Sequence, residues 1–173
     1  MNLEIERKFL LKSIPDADPI ERIKINQWYI KKTNGWQRVR RCISDTKGVY
    51  YVHTIKKQIS KGVNMENEKL INKEKYKEFV NLCKRGRYES RNISKERWIF
   101  PHISDNLVWE VDVFNGGHHM IIAEIEIPKK SYKVIIPNFI KEKFLLEVTG
   151  LKQFSNKNLS DIYDKRDKLI TNS

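Results

Sequence analysis

Polar pairs two residues apart recur along most of this 173-residue chain, and that spacing constrains the fold more than any other feature. Six pairs carry like charge: Glu4/Glu6, Arg38/Arg40, Glu66/Glu68, Lys95/Arg97, Glu110/Asp112 and Glu124/Glu126; Thr54/Lys56 is a seventh polar pair. Residues i and i+2 of a β-strand share a face, about 6.7 Å apart, so each pair marks one face of one strand. The first strand shows the pattern plainly, with Glu4, Glu6 and Lys8 on one side and Leu3, Ile5, Arg7 and Phe9 on the other. A solvated sheet would mix signs to gain cross-strand attraction, whereas here acids stand with acids and bases with bases. Such crowding costs stability and points to a ligand that needs both fields.

Period-2 stretches predict strands near 3–11, 23–32, 36–44, 48–58, 62–70, 88–100, 106–114 and 120–128. Asn34-Gly35 is a two-residue hairpin signal, and Asp45 to Gly48 and Ser104-Asp105-Asn106 suit longer turns. Helices are few. Asn72 can cap one whose apolar positions are Tyr76, Phe79, Val80 and Cys83, with Gly86 beyond its end. Pro137 can open a second through Phe144, and Asn158 or Ser160 a third. The expectation is an α+β domain spanning 1–173: a closed eight-stranded antiparallel β-barrel with flanking helices, whose interior is the size that holds one small ligand.

Composition narrows the partners. The net charge of +12 draws polyanions without choosing among them. Lys31-Lys32 and Lys129-Lys130 lie beside turns and read as surface positions. Cys42 and Cys83 are isolated and read as buried, reduced thiols. Charges at Glu4, Glu6, Arg7 and Lys8 leave no room for the apolar core of a signal peptide, and no apolar run approaches the roughly 20 residues of a membrane span. A soluble cytoplasmic protein is therefore expected. His118-His119 are assigned to a loop, and Trp28, Trp36, Trp98 and Trp109 to the core outside the barrel. No Ser or Cys has a recognisable base partner for nucleophilic catalysis.

The lumen of such a barrel would hold eight carboxylates (Glu4, Glu6, Glu66, Glu68, Glu110, Asp112, Glu124, Glu126) and six cations (Lys8, Arg38, Arg40, Lys56, Lys95, Arg97), so that −8 + 6 = −2. Two divalent cations would bring that to +2. Clustered carboxylates are the hard oxygen ligands of Mg²⁺ or Mn²⁺, and Arg and Lys hold phosphoryl oxygens. Phosphoryl transfer asks of a protein mainly positioning and charge neutralisation, which this lining offers.

The same residues resemble a family. Glu4-Ile5-Glu6-Arg7-Lys8 followed by Phe9 is similar to the amino-terminal ExExK motif of the CYTH superfamily, the triphosphate tunnel metalloenzymes, and looks most like its bacterial inorganic tripolyphosphatase members. The family order continues in Gln27 to Ile30 (QxYL), Arg38-Val39-Arg40, Thr54-Ile55-Lys56, Lys95-Glu96-Arg97, Trp109 to Phe114, Ala123 to Ile127 and Glu147-Val148-Thr149. The resemblance covers residues 3 to about 160. It departs after Gly62, where the family shows an arginine before its ExE pair and this chain reads Val63-Asn64-Met65-Glu66-Asn67-Glu68. One basic phosphate contact is expected to be missing.

The resemblance implies metal-dependent hydrolysis of a triphosphate, foremost tripolyphosphate to pyrophosphate and phosphate, inside the tunnel. Glu4, Glu6, Glu124 and Glu126 are the expected ligands of Mg²⁺ or Mn²⁺, and Glu124 is expected to be crowded by other carboxylates. Glu66, Glu68 and Asp112 are expected to assist them, and Lys8, Arg38, Arg40, Lys56, Lys95 and Arg97 to bind phosphate. Glu4, Glu6, Lys8, Glu66, Glu68 and Asp112 form the expected catalytic set. Within the family a CYTH-type adenylyl cyclase or a thiamine or nucleoside triphosphatase shares these motifs. A non-catalytic module binding polyphosphate or nucleic acid is the alternative of another class, and the acidic pairs speak against nucleic acid. The expected partner is a small-molecule triphosphate, and the sequence leaves open whether the protein is a monomer or a homodimer.

Overall fold

The computed structural model describes residues 2–33, 35–102, 105–114 and 120–160. All eight expected strands are present: β1 (Asn2–Leu11), β2 (Glu21–Lys32), β3 (Gly35–Ser44), β4 (Gly48–Ser60), β5 (Val63–Ile71), β6 (Ser90–Pro101), β7 (Val108–Phe114) and β8 (Ile121–Glu126). They are neighbours in the order β5-β4-β3-β2-β6-β7-β8-β1, and β1 closes the ring by pairing back onto β5. Every pairing is antiparallel. Closure removes the open edges that would otherwise seek partners. It also sets one face of every strand inside.

The outward faces carry the main apolar core. Phe9, Phe100, Trp109, Val111, Ala123, Ile125 and Ile140 form one cluster, with Tyr132, Val134 and Ile136 packed against it. On the far side α1 (Lys73–Lys84) lays Tyr76, Phe79 and Cys83 over Ile30 and Val39. Its cap is the expected one, with Asn72 accepting from the Lys75 amide at 2.9 Å. At one end of the lumen the inward positions turn apolar, where Tyr29, Ile93, Phe114 and Ile122 pack with Leu10, Trp36, Phe154 and Leu159. Among the described residues no helix is long and apolar enough to cross a membrane.

Three expectations needed correction. The helix opened by Pro137 spans only Asn138–Lys141 (α2), and a ninth strand, β9 (Phe144–Glu147), follows where the helix was to end, pairing with Phe9 to Leu11 of β1. Four residues are too few to show a period, so their strand character comes from the edge that β1 offers. The third helix begins earlier than predicted, at residue 156, with the Ser155 hydroxyl accepting from the Asn158 amide at 3.3 Å. Trp36 is not outside the barrel: standing two residues before Arg38, it shares the inward face and lines a cavity there. His118-His119, Ser104 and Asn34 lie outside the described residues.

The turn between β4 and β5 packs against the segment after β9. Gly62 has φ +68°, and a Cβ there would meet Thr149 Cγ2 at 2.9 Å and the Glu6 carbonyl oxygen at 3.0 Å. Gly48, with φ +73°, has nothing within 4 Å. Gly48→Ala should therefore cost only the left-handed backbone penalty of about 1–2 kcal/mol, and Gly62→Ala clearly more. Urea denaturation of both variants measures this, and equal losses would show that the turn does not dock as described.

Candidate active site

Strand order sorts the inward charges into two walls. The neighbours β4, β3, β2 and β6 carry Lys56, Arg38, Arg40, Lys95 and Arg97, while β7, β8, β1 and β5 carry all eight expected lumen carboxylates together with Lys8. A basic wall thus faces an acidic one. Between them lies a cavity of about 600 Å³ lined by Glu4, Glu6, Lys8, Arg38, Arg40, Lys56, Glu66, Glu68, Arg97, Glu110, Glu124 and Glu126. A second cavity of about 430 Å³ shares Glu6, Lys8, Arg38 and Lys56 and extends to Tyr29, Trp36 and Phe154. Both volumes are in the range of small-molecule sites.

Across the walls the charges pair. Arg38 Nη2 lies 3.4 Å from Glu66 Oε1, and Arg40 is ion-paired to Glu68, which also accepts from Thr54 Oγ1 at 3.1 Å. Strand register puts Lys56 opposite Glu66 and Thr54 opposite Glu68, so both carboxylates face inward. Asn64 is also on that face and donates to Glu6 Oε1 at 3.3 Å. Arg97 grips Asp112 with Nε and Nη2 at 2.7 and 2.8 Å, and also pairs with Glu110. Arg38 and Arg40 each keep a buried Nε with no hydrogen-bond acceptor among the described residues. Burial, then the neighbouring Arg38, lowers the Arg40 pKa. The basic wall therefore presents donors in want of an anion.

Two expected site residues lie outside the cavity lining. Lys95 and Asp112 are paired to each other, with side chains 1% and 0% exposed. Burial alone would raise the Asp112 pKa, but Arg97 and Lys95 outweigh it and hold it below its ordinary value. With Arg97 and Lys95 on its oxygens, Asp112 positions those cations; it does not face the cavity.

The expected metal quartet also divides. Glu6 stands opposite Glu126 across β1 and β8, and Lys8 opposite Glu124. Lys8 Nζ donates to Glu124 Oε1 at 2.8 Å in a buried contact, and Arg97 Nη2 lies 3.8 Å from Glu124 Oε2. Burial would raise the Glu124 pKa, yet Lys8, Arg97 and Lys95 hold it well below the usual carboxylate range. Glu124 is thus a buried ion-pair partner: Glu110 stands opposite it, as expected of a crowded carboxylate, but its cations prevail. Like charge prevails at Glu126 instead, where burial raises the pKa with help from Glu4, Glu110 and Glu66. Burial also raises the Glu4 pKa, against the opposing Lys56 ammonium.

The donor set suits a hard divalent cation by its chemistry. Glu66 Oε2 is buried with no hydrogen-bond donor among the described residues. As they stand, however, no three carboxylate, His or Cys groups among the described residues form a ready-made metal site. Lys56 stands among three of these carboxylates. Its ammonium sits 2.5 Å from Glu4 Oε2, 3.5 Å from Glu6 Oε2 and 3.4 Å from Glu66 Oε2.

Sequence reasoning missed Tyr29 and Gln27 as lumen residues. Gln27 Nε2 donates to the Tyr29 hydroxyl at 3.1 Å, and Gln27 Oε1 is buried without a donor among the described residues. Their placement two residues apart on β2 was the available signal, but neither carries charge.

Comparison of the sequence finds no matching family model and no matching curated protein. Among solved structures, the chain is similar to the inorganic triphosphatase NE1496 at 25% identity, covering 92% of this chain and 95% of that one with a TM-score of 0.56. It shares its fold with an adenylyl cyclase candidate from Hippeastrum, HpAC1, described as having a dominant triphosphatase activity (16% identity, 73% and 80% covered, TM-score 0.52). The fold is also that of protein PH1819 from Pyrococcus horikoshii (16% identity, 74% and 80% covered, TM-score 0.54). The CYTH-type resemblance carried by the motifs is thus matched in three dimensions.

The divided carboxylates give opposite stability signatures. Glu124→Gln strands Lys8 and should destabilise the ligand-free protein by up to about 3 kcal/mol, the low end for a broken buried pair, because Glu6 remains 3.5 Å from Lys8. Glu126→Gln relieves repulsion at a solvent-screened position and should stabilise by less than about 1 kcal/mol. The Glu124 pKa is depressed in the folded state, so its contribution is complete above the unfolded value of 4.5 and is lost as pH falls below it toward the folded value. Denaturation between pH 3 and 7 should therefore show Glu124→Gln with a shallower acid loss than the parent. Equal effects of the two substitutions at neutral pH would contradict the pairing.

Proposed function

We propose that this chain, a CYTH-type barrel in its motifs and fold, hydrolyses a triphosphate in its tunnel, with inorganic tripolyphosphate, cleaved to pyrophosphate and phosphate, as the substrate. The observation that carries this reading is the pair of buried, acceptor-less guanidinium Nε donors of Arg38 and Arg40, facing a cavity opposite a carboxylate wall. Similarity along nearly the whole length of an inorganic triphosphatase supports it.

The residues divide the work by chemistry. Arg38 and Arg40 bind the phosphate chain along the basic wall, with Lys8, Lys56 and Arg97 completing its charge balance. Fixing the chain between rigid strands orients the terminal phosphorus for attack by water, and the surrounding cations stabilise charge on the bridging oxygen that leaves. Asp112, itself paired with Lys95, holds Arg97 in place. Glu4, Glu126, Glu6 and Glu66 are the residues that would hold Mg²⁺ or Mn²⁺. The ion would neutralise phosphoryl charge and supply a site for water.

An inorganic substrate is favoured by the state of the lumen aromatics. A nucleobase or thiamine ring would call for a free stacking surface, whereas the Trp36 ring already carries Arg91 and Lys157 at 5.0 and 5.2 Å. A cytoplasmic location agrees with such a substrate and with two unpaired, buried cysteines.

Phosphate release from tripolyphosphate should require added Mg²⁺ or Mn²⁺ and disappear in excess EDTA, and should exceed release from ATP, thiamine triphosphate or pyrophosphate. Turnover undiminished in EDTA would remove the metal, and preference for ATP would overturn the inorganic substrate.

Position within the barrel supplies a further check. Arg38 and Arg40 have side chains 14% and 12% exposed, against 58% for Lys31. Arg38→Ala and Arg40→Ala should each weaken triphosphate binding by about 1.5–3 kcal/mol, the worth of a charge-assisted contact. Lys31→Ala should cost at most about 1 kcal/mol. Equal losses in calorimetric titration would place binding outside the barrel.

A further inference from the structure

We infer that Lys56 is a resident counterion, filling the centre of the Glu4, Glu6 and Glu66 carboxylates in the ligand-free tunnel and giving up that centre when a divalent cation and a triphosphate bind together. The inference rests on the reading of the lumen as a site for metal and triphosphate, and goes beyond it in assigning an order of exchange.

Two considerations lead there. The Lys56 ammonium is within 3.5 Å of an oxygen of each of three carboxylates that come from two strands, β1 and β5, while Lys56 itself comes from a third. An ammonium is a compact point charge with three donors on a flexible stem, so it can stand in a carboxylate cluster and also leave it.

The grip is also incomplete. Glu4 Oε2 is 2.5 Å from Nζ, whereas Glu6 Oε2 and Glu66 Oε2 lie 3.5 and 3.4 Å away. One ammonium thus bonds one carboxylate closely and holds the other two loosely. A divalent cation, which takes six or more oxygens, would satisfy them better.

Position supplies the destination. Lys56 lies where the basic wall meets the acidic one, on β4 between Glu66 of β5 and the arginines of β3. A triphosphate on Arg38 and Arg40 would offer it phosphoryl oxygens on the other side. Without triphosphate, a metal must displace Lys56 from three carboxylates and leave it unpaired in a partly buried site. With triphosphate, the displaced ammonium gains a new partner. Metal and triphosphate should therefore bind with positive coupling, and by linkage each should raise the affinity of the other equally.

The test is titration of Mn²⁺ into the parent, Lys56→Met, Lys56→Gln and Lys31→Met, each alone and saturated with a non-hydrolysable imido-triphosphate. No turnover is needed. Removing Lys56 should tighten Mn²⁺ binding in the absence of triphosphate by about 5- to 150-fold, the usual span of a coupling between sites. It should also shrink the gain that imido-triphosphate brings. Lys31→Met should match the parent. Circular dichroism establishes that the variants are folded. Lys56→Gln retains a hydrogen-bond donor in case Lys56→Met does not fold.

Lys56 variants that are folded and bind Mn²⁺ alone no more tightly than the parent overturn the inference while leaving the triphosphatase reading intact. A parent whose Mn²⁺ affinity is unchanged by imido-triphosphate also overturns it, with no variant required. A parent that binds neither Mn²⁺ nor imido-triphosphate removes the functional reading itself.

Discussion

Neutralising many charges inside a closed barrel is the constraint on which the rest of the structure depends. A buried charge without a partner costs several kcal/mol, and even a good ion pair repays little more than its desolvation. The chain meets this by placing a basic wall, β4-β3-β2-β6, against an acidic one, β7-β8-β1-β5. Lys8 bonds Glu124, Arg97 bonds Asp112, Arg40 pairs with Glu68, and Lys56 stands among Glu4, Glu6 and Glu66. A carboxylate-lined metal site and an arginine-lined anion site can then share one lumen, each serving as the counter-field of the other in the ligand-free protein.

The pairing is not uniform with depth. Lys95, Asp112 and Arg97 form a buried group with its hydrogen bonds made, and beside them the inward face turns apolar at Phe114, Ile93 and Ile122. Elsewhere in the lumen, Glu126 is exposed and crowded by like charge, and the Nε groups of Arg38 and Arg40 are buried without acceptors among the described residues. The first set behaves as scaffold: breaking any member strands a charge. The second carries the unsatisfied demand that a ligand can meet, and local dissatisfaction of this kind is where binding energy is available.

Much of this was legible in the sequence. The period-2 spacing placed all eight barrel strands, and the alternation assigned Glu4, Glu6 and Lys8 to one face of β1 with Ile5 and Phe9 to the other. The cap at Asn72 was readable because its mechanism is local. β9 was not, since Phe144 to Glu147 is extended only by virtue of the β1 edge beside it. Trp36 was misplaced because residue type was weighed above strand parity, which puts it on the face of Arg38.

The sequence by itself determined which residues face inward, because side-chain alternation is fixed by the backbone of each strand and needs no partner. It determined too that like charges would share a strand. Which charge meets which was decided by tertiary structure alone. The like-charge pairs read as one crowded, ligand-seeking set, yet closure made Glu124 the partner of Lys8, Asp112 the anchor of Arg97 and Glu4 the neighbour of Lys56, and left like charge to prevail at Glu126. Pair energies depend on distances of a few ångströms between strands far apart in the chain, and those distances exist only once strand order and register are set.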